Sequence, residues 1–226
     1  MKNSKNEKPI QIIVNGRATI TIMTSAENPT DLAIGRLLTE HIIETCADIN
    51  SVYTDEPQIS IVTNNPFEIL LSRKTVLAGC GSASSFLDSG KLGKITSNLS
   101  IQDSQLQKNA KFLPVTNWYS AALFSEEGML LSTAEDLTSQ NAADRIIGWG
   151  LTHNTDFSRT YLLFSGNIVA ETILKVIIAK IPLVVTNAEI TSASITAANN
   201  AELSLHQIIG NRIITLSKTN RCNCDY

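Results

Sequence analysis

Residues 161–186 constrain the fold more than any other stretch. Tyr161 to Phe164 is a short apolar run, and Ser165-Gly166-Asn167 reads as a turn. From Val169 to Lys180, Ala170, Ile173, Leu174 and Ile177 recur at helical spacing and form an inward face. Pro182 ends that helix, and Leu183 to Thr186 is a second apolar run. Strand, helix and strand in this order predict two parallel strands joined by a right-handed crossover, because parallel strands cannot be joined by a tight turn. Thr191 to Ala201 follows as another helix and Ile213 to Leu216 as a third strand.

The preceding chain adds strands and helices of other kinds. Ile10 to Val14 and Ala18 to Met23 alternate around Asn15-Gly16, the strongest short signal of a tight hairpin. Thr30 or Asp31 is placed to cap the next helix, with Pro29 just before it and Leu32, Ala33, Leu37, Leu38 and Ile42 on its apolar side. Val52-Tyr53 and Gln58 to Val62 read as short strands, and Phe67 to Ser72 as strand or helix. Ile95 to Phe112 is a polar connector, helical in part. Trp118 to Leu123 reads as a helix or helical turn, and Met129 to Ser132 as a strand after the turn Glu126-Glu127-Gly128. Asn141 to Gly148 reads as a helix with Ala142, Ile146 and Ile147 inward. The expected division is an N-terminal α+β subdomain over 1–112 and an α/β subdomain over 113–226.

Bulk composition serves mainly to exclude. With 43% hydrophobic residues among 226, a packed core is expected rather than disorder. A formal charge of −3 gives no general attraction to nucleic acid or anionic lipid. No apolar run reaches the roughly 18 residues of a membrane span. Met1 to Gln11 lacks the apolar centre of a secretory signal, so the cytoplasm is the expected location.

Chemistry-bearing residues are few. His41, His153 and His206 each stand alone, without a second ligand at metal spacing, and read as surface or half-buried residues. The H-x-E and P-C-x-x-C pair of a zinc deaminase is missing, so no zinc is expected. There is neither a phosphate-binding G-x-x-x-x-G-K-[ST] nor a G-x-S-x-G elbow. Four cysteines in a chain this long do not suggest a disulfide scaffold. Cys46 reads as structural, and Cys222-Asn223-Cys224 as part of an unstructured polar tail. Cys80 differs from these. It lies in Leu77-Ala78-Gly79-Cys80-Gly81-Ser82-Ala83-Ser84, where flanking glycines free the backbone and shield nothing. Its thiol reads either as a small buried hydrophobe or as an exposed reactive sulfur. Arg73 and Lys74 could supply the positive potential that lowers a thiol pKa. A reactive cysteine without an adjacent base suits sulfur carriage better than hydrolysis.

Several segments taken together resemble one family. Val14-Asn15-Gly16-Arg17 is similar to its opening strand and turn. Asp31-Leu32-Ala33-Ile34-Gly35, with Leu37-Leu38-Thr39-Glu40 and Ile42-Ile43, is similar to its first helix. Ala134-Glu135-Asp136 and Asn141-Ala142-Ala143-Asp144-Arg145 track an E-D-x-G-R-H-N-A-x-D-K block. Ser165-Gly166, Glu171, Lys175 and Ile181-Pro182 track S-G-R-x-x-x-E-x-x-x-K and a following I-P. In order and spacing the chain resembles the FdhD/NarQ formate dehydrogenase accessory sulfurtransferases. The resemblance implies an α/β, cytidine-deaminase-like layered fold with a mixed sheet, preceded by an N-terminal β-hairpin and helix. It implies a persulfide on Cys80, sulfur received from a cysteine desulfurase, and delivery to a bis-guanine-dinucleotide molybdenum cofactor bound as client. Apo formate dehydrogenase is the implied recipient, a GDP-like nucleotide an implied ligand and a homodimer the implied state. The family's cofactor-contacting stretch aligns with Ile208, Ile209, Gly210, Asn211, Arg212 and Ile213.

The chain also departs from the family pattern. The first cysteine of a C-x-x-C-G loop falls on Leu77, leaving Cys80 as the second. The histidine of a G-G-x-H segment falls near Tyr119 or Ser120, G-R-H falls on Thr138-Ser139-Gln140, and the arginine of S-G-R falls on Asn167. These losses remove groups that would hold phosphate. They leave open a second reading, a non-catalytic molybdenum-cofactor chaperone.

Overall fold

A computed structural model of the chain describes residues 7–25, 28–64, 93–113 and 118–223. Cys80, Phe67 to Ser72, Arg73, Lys74 and Cys224 lie outside the described residues.

The Asn-Gly signal forms the first hairpin. Strands β1 (Lys8–Val14) and β2 (Arg17–Thr24) pair antiparallel, and Asn15 and Gly16 take φ of 51° and 77°. Two successive positive φ values are what a type I′ turn needs, and Asn-Gly tolerates them best. Helix α1 is Pro29–Thr39. Pro29 lies inside its first turn rather than before it, and Asn28 is the N-cap, without a side-chain cap bond. Thr30 and Asp31 therefore do not cap the helix. Proline suits the first helical turn because its missing N–H would have had no helical partner. Strands β3 (Ile49–Asp55) and β4 (Gln58–Thr63) complete a four-stranded sheet in the order β2-β1-β4-β3, with β1 and β4 parallel.

After residue 93, β5 (Ile101–Gln102) leads into α2 (Asp103–Ala110). Next comes β6 (Tyr119–Ser125), where the sequence pattern suggested a helix. Ala121 and Leu123 enter one hydrophobic cluster, and Ala122 and Phe124 enter another on the opposite face. A strand buried on both faces loses its alternation, which is why the apolar run Ala121 to Phe124 does not read as a strand. Strand β7 (Leu130–Asp136) runs four residues past Ser132, and α3 (Ser139–Thr152) follows. Thr138 caps α3 by accepting from Asn141 N at 3.1 Å.

The strand–helix–strand unit is present: β8 (Thr160–Ser165), α4 (Ala170–Ile178) and β9 (Leu183–Thr186), with β8 and β9 parallel. Helix α4 is buried beyond the expected stripe, Lys175 included. Helix α5 (Ser192–Ala201) is capped by Thr191. It precedes β10 (Ser204–Ile209), a strand that the sequence pattern does not predict, and then β11 (Arg212–Thr215). The six-stranded sheet has the order β11-β10-β9-β8-β6-β7. The sheets and helices thus form a layered, mixed α/β fold with an N-terminal hairpin. One buried cluster joins α1, α3, α4, α5 and both large sheets, drawing on residues from either side of residue 112. No described helix is long and apolar enough to cross a membrane.

Two expectations are corrected at the C-terminal side. Cys222 is 4% exposed, and Cys222–Asn223 forms β12, paired in parallel with β5. His206 is wholly buried, with hydroxyls of Ser204 at 2.6 Å and Thr215 at 3.2 Å from its two ring nitrogens. Burial pushes its pKa down to about 4, with Asp103 as a minor opposing charge. Both corrections share one cause, a second apolar cluster on the far face of the sheet that includes Leu99, Ile101, Leu106 and Cys222.

Candidate functional site

Strand directions place the site. Strands β8, β9 and β10 are parallel, and β6 is antiparallel to both β7 and β8, so β7 runs with the parallel set. Helices α3, α4 and α5 each begin where one of these strands ends, so three helix N-termini meet the carboxyl edge of the sheet. Ligands of open α/β sheets bind at such an edge, where N-terminal N–H groups favour negative charge.

On the helix side this edge is already filled by protein. Helices α1 and α3 touch at Gly35 and Gly148. A Cβ on Gly35 would stand 1.8 Å from Asp144 O, and one on Gly148 would stand 1.9 Å from Asp31 O. That contact brings charged groups of α1, α3 and α4 together. Arg36 Nη1 lies 3.2 Å from Glu40 Oε1 and 3.9 Å from Glu171 Oε1, and Arg36 Nη2 donates to Asn141 Oδ1 at 3.4 Å. Arg36 Nε and Asp144 Oδ2 are 3.0 Å apart but not aligned as a hydrogen bond, so that contact is chiefly coulombic. Lys175 Nζ lies 3.0 Å from Asp144 Oδ1 and donates to Thr39 Oγ1 at 2.9 Å, and Thr39 Oγ1 donates to Asp144 Oδ1 at 2.7 Å. Burial works against both cations. Asp144 and Glu40 outweigh it at Arg36, whose pKa is raised, whereas burial prevails at Lys175, whose pKa is lowered. Glu171, in the first turn of α4, occupies the favourable N-terminal end and accepts from Gln140 Nε2 at 3.4 Å. Ser139 and Thr172 hydroxyls meet at 2.8 Å.

Among the described residues, the other side of the edge is open. Ile208 and Ile209 end β10, Gly210 and Asn211 make the turn, and Arg212 and Ile213 begin β11. Gly210 has φ of 60°, and a Cβ placed there would meet nothing within 4 Å. Ile209, Gly210, Asn211 and Arg212 are exposed. Gln107 Nε2 of α2 holds the turn by donating to Asn211 O at 3.0 Å. A similar bond from Gln207 Nε2 to Ala188 O, at 2.9 Å, ties β10 to the loop after β9. Ser120 Oγ, at the start of β6 on the same edge, is buried and has no hydrogen-bond partner among the described residues. No group of three His, Cys, Asp or Glu side chains suited to a metal ion occurs among the described residues.

The FdhD/NarQ family model matches residues 5–222. The chain belongs to the FdhD/NarQ family. A protein named sulfur carrier protein FdhD from Sulfolobus acidocaldarius is 31% identical over 216 residues, covering 88% of this chain and 82% of that one. Another of that name, from Shouchella clausii, is 26% identical and covers 91% of this chain and 84% of its own. A crystal structure of a candidate formate dehydrogenase accessory protein from Desulfotalea psychrophila superposes with a TM-score of 0.79. It covers 96% of this chain and 90% of that one, and at 15% identity it speaks for the fold alone.

Family membership gives the charge cluster a second meaning. Glu40, Asn141, Asp144, Glu171 and Lys175, which come from three separate FdhD/NarQ-like segments, meet in one place. Sequence similarity picks them out, Thr39 included, without showing that they touch, and it passes over Arg36. The available signal for Arg36 is a basic residue flanked by apolar ones in the second half of a helix.

Proposed function

We propose that this FdhD/NarQ protein is a sulfur carrier for formate dehydrogenase maturation, working in the cytoplasm with Cys80 as its carrier residue. The carrying observation is the family match over residues 5–222, together with relatives named sulfur carrier proteins. The Cys80 thiolate attacks the outer sulfur of a persulfide on a cysteine desulfurase. A bond forms between that sulfur and Cys80 Sγ, the donor's S–S bond breaks, and the donor cysteine leaves as thiolate. In the second exchange the S–S bond of the Cys80 persulfide breaks and Cys80 leaves as thiolate. The outer sulfur passes at the zero-valent level to the client, a bis-guanine-dinucleotide molybdenum cofactor bound for apo formate dehydrogenase. The reduced form of that cofactor would supply the two electrons that make it sulfide. Positive charge near the thiol, which Arg73 and Lys74 would supply, would favour the thiolate in both exchanges.

For the phosphates of the client, or of a GDP-like nucleotide, the exposed turn Gly210-Asn211 and Arg212 are the fitting surface. The ends of α3 and α4 fit less well, because Glu171 already sits at one and Gln140 and Asn167 stand where the family has basic groups. That pattern favours, as a second reading, a chaperone that holds the cofactor without transferring sulfur. A mass measurement separates the two. Protein incubated with a cysteine desulfurase and cysteine gains one sulfur atom, and Cys80→Ala does not. An unmodified wild type, or an equal gain in the variant, removes the carrier reading.

A further inference from the structure

Helix α2 turns one face to the sheet and another to solvent. Leu106 and Asn109 are buried, whereas Lys108 and Lys111 are exposed. Lys111 is the C-cap residue and keeps helical dihedral angles, so the helical spacing extends to it. Residues three and four apart are neighbours on a helix surface, which places Lys111 one turn beyond Gln107 and beside Lys108. Gln107 is the residue whose side chain donates to Asn211 O at 3.0 Å. That bond fixes α2 against the β10–β11 turn and brings the lysine pair to its flank. Ile208 and Ile213 pack on the same far-face cluster as Leu106, so α2 covers that face of the hairpin. Arg212, one residue before Ile213, projects from the other face.

The acidic groups next to α2 have partners of their own. Asp103, in the first turn of the helix, accepts from Cys222 Sγ. At the other edge of the helix, Gln105 Nε2 donates to Glu126 O at 3.1 Å and Asn109 Nδ2 to Gly128 O at 3.0 Å. Glu126 and Glu127 of that turn both face the Arg159 guanidinium. Lys108 and Lys111 make no ion pair among the described residues. Two unmatched cations thus stand within one helical turn of each other, in a chain whose formal charge is −3.

We propose that Lys108 and Lys111 extend the ligand surface of the β10–β11 turn onto α2 and bind phosphate groups of a guanine nucleotide there. The turn then lies between cations on both faces, Arg212 on one and the lysine pair on the other. The inference rests on the reading of that turn as a phosphate surface and adds the residues of α2 to it. A nucleoside diphosphate carries more charge than Arg212 alone can match. Lysines are compact point charges on flexible stems, so two of them can follow phosphate oxygens at different positions. Exposed cations attract an anion through screened charge, so binding weakens as salt rises.

The test titrates GDP into the full chain by calorimetry at low and at raised salt. The wild type binds, and a variant with Lys108→Gln and Lys111→Gln binds about tenfold more weakly, as loss of charge-assisted hydrogen bonds should. That variant also loses part of the salt dependence. A control with Lys180→Gln and Lys218→Gln removes the same charge from exposed positions beside the C-terminal ends of α4 and α5, and it binds like the wild type. All four side chains are exposed, so the variants keep the wild-type circular dichroism spectrum. Equal affinity of the wild type and the α2 variant overturns the inference and leaves the turn itself as the ligand surface. An equal loss in the control also overturns it, because the effect would then belong to net charge. A wild type that does not bind GDP overturns it together with the nucleotide reading of the turn, while the sulfur gain on Cys80 is measured separately.

Discussion

The two sides of the carboxyl edge are built on opposite terms. Where α1 crosses α3, a methyl group on Gly35 or Gly148 would fall within 2 Å of backbone, and the charges beneath are paired and buried. At the β10–β11 turn, a methyl group on Gly210 would meet nothing within 4 Å among the described residues, and Arg212 is exposed. Both regions coincide with stretches that resemble the family. The helix side reads as a clamp that sets the architecture, and the hairpin side is the surface that the proposed function assigns to a ligand. Similarity to a family motif therefore does not by itself mark a contact with substrate.

The sharpest way to break this comparison is one substitution made twice. Gly148→Ala forces backbone against backbone and pulls apart Arg36, Asp144 and Lys175. It should cost about 5 kcal/mol or more, the exceptional end of single-residue effects, or prevent folding. Gly210→Ala meets no atom and bears only the cost of a positive φ, about 1 kcal/mol. Urea denaturation midpoints at constant slope measure both. Equal losses would mean that the hairpin is packed as tightly as the clamp.

Lys175→Met comes next in size. Lys175 bonds Thr39 across 136 residues of sequence and faces Asp144 at 3.0 Å, with no exposure of its side chain. Methionine preserves much of the volume but leaves Asp144 and Glu40 with Arg36 as their remaining cation, at a cost of about 3 kcal/mol. Thermal unfolding of the variant decides it. No loss would show that the cluster repacks around a single cation, and the clamp would then rest on the Gly35–Gly148 contact alone.

How much of this was legible in the sequence depended on whether the signal was local. Asn15-Gly16 announces its turn because the backbone there needs two positive φ values. The run from Tyr161 to Thr186 announces a parallel pair because its periods differ clearly and Pro182 separates them. The misread segments owe their structure to distant partners. Strand β6 is buried by layers on both faces, β10 is framed by β9 and β11, and Cys222 is drawn in by β5. The charge cluster was invisible for the same reason, since no short window contains Arg36, Asp144 and Lys175 together. Resemblance supplied its members, and only the packing of α1 on α3 and α4 supplied its geometry. Cys80, the residue that the sequence singled out for chemistry, lies outside the described residues.

The smallest of the three effects separates the two regions by pH. The hairpin side rests on a neutral histidine, whereas the clamp rests on ion pairs. His206 has its pKa pushed down by burial to about 4, against 6.5 for the free side chain. Above pH 6.5 it is neutral in both folded and unfolded chains and adds no pH dependence. As pH falls from 6.5 towards 4 the unfolded chain takes up the proton and the folded chain does not, so folding loses stability across that window. Between pH 7 and pH 5 the loss amounts to about 2 kcal/mol. Replacing His206 with Gln removes the titrating group and should flatten that part of the stability curve, even if the variant is less stable at every pH. A wild-type curve and a His206→Gln curve with the same slope from pH 7 to pH 5 would assign the acid sensitivity elsewhere. The contrast between the two regions would then lose its electrostatic half.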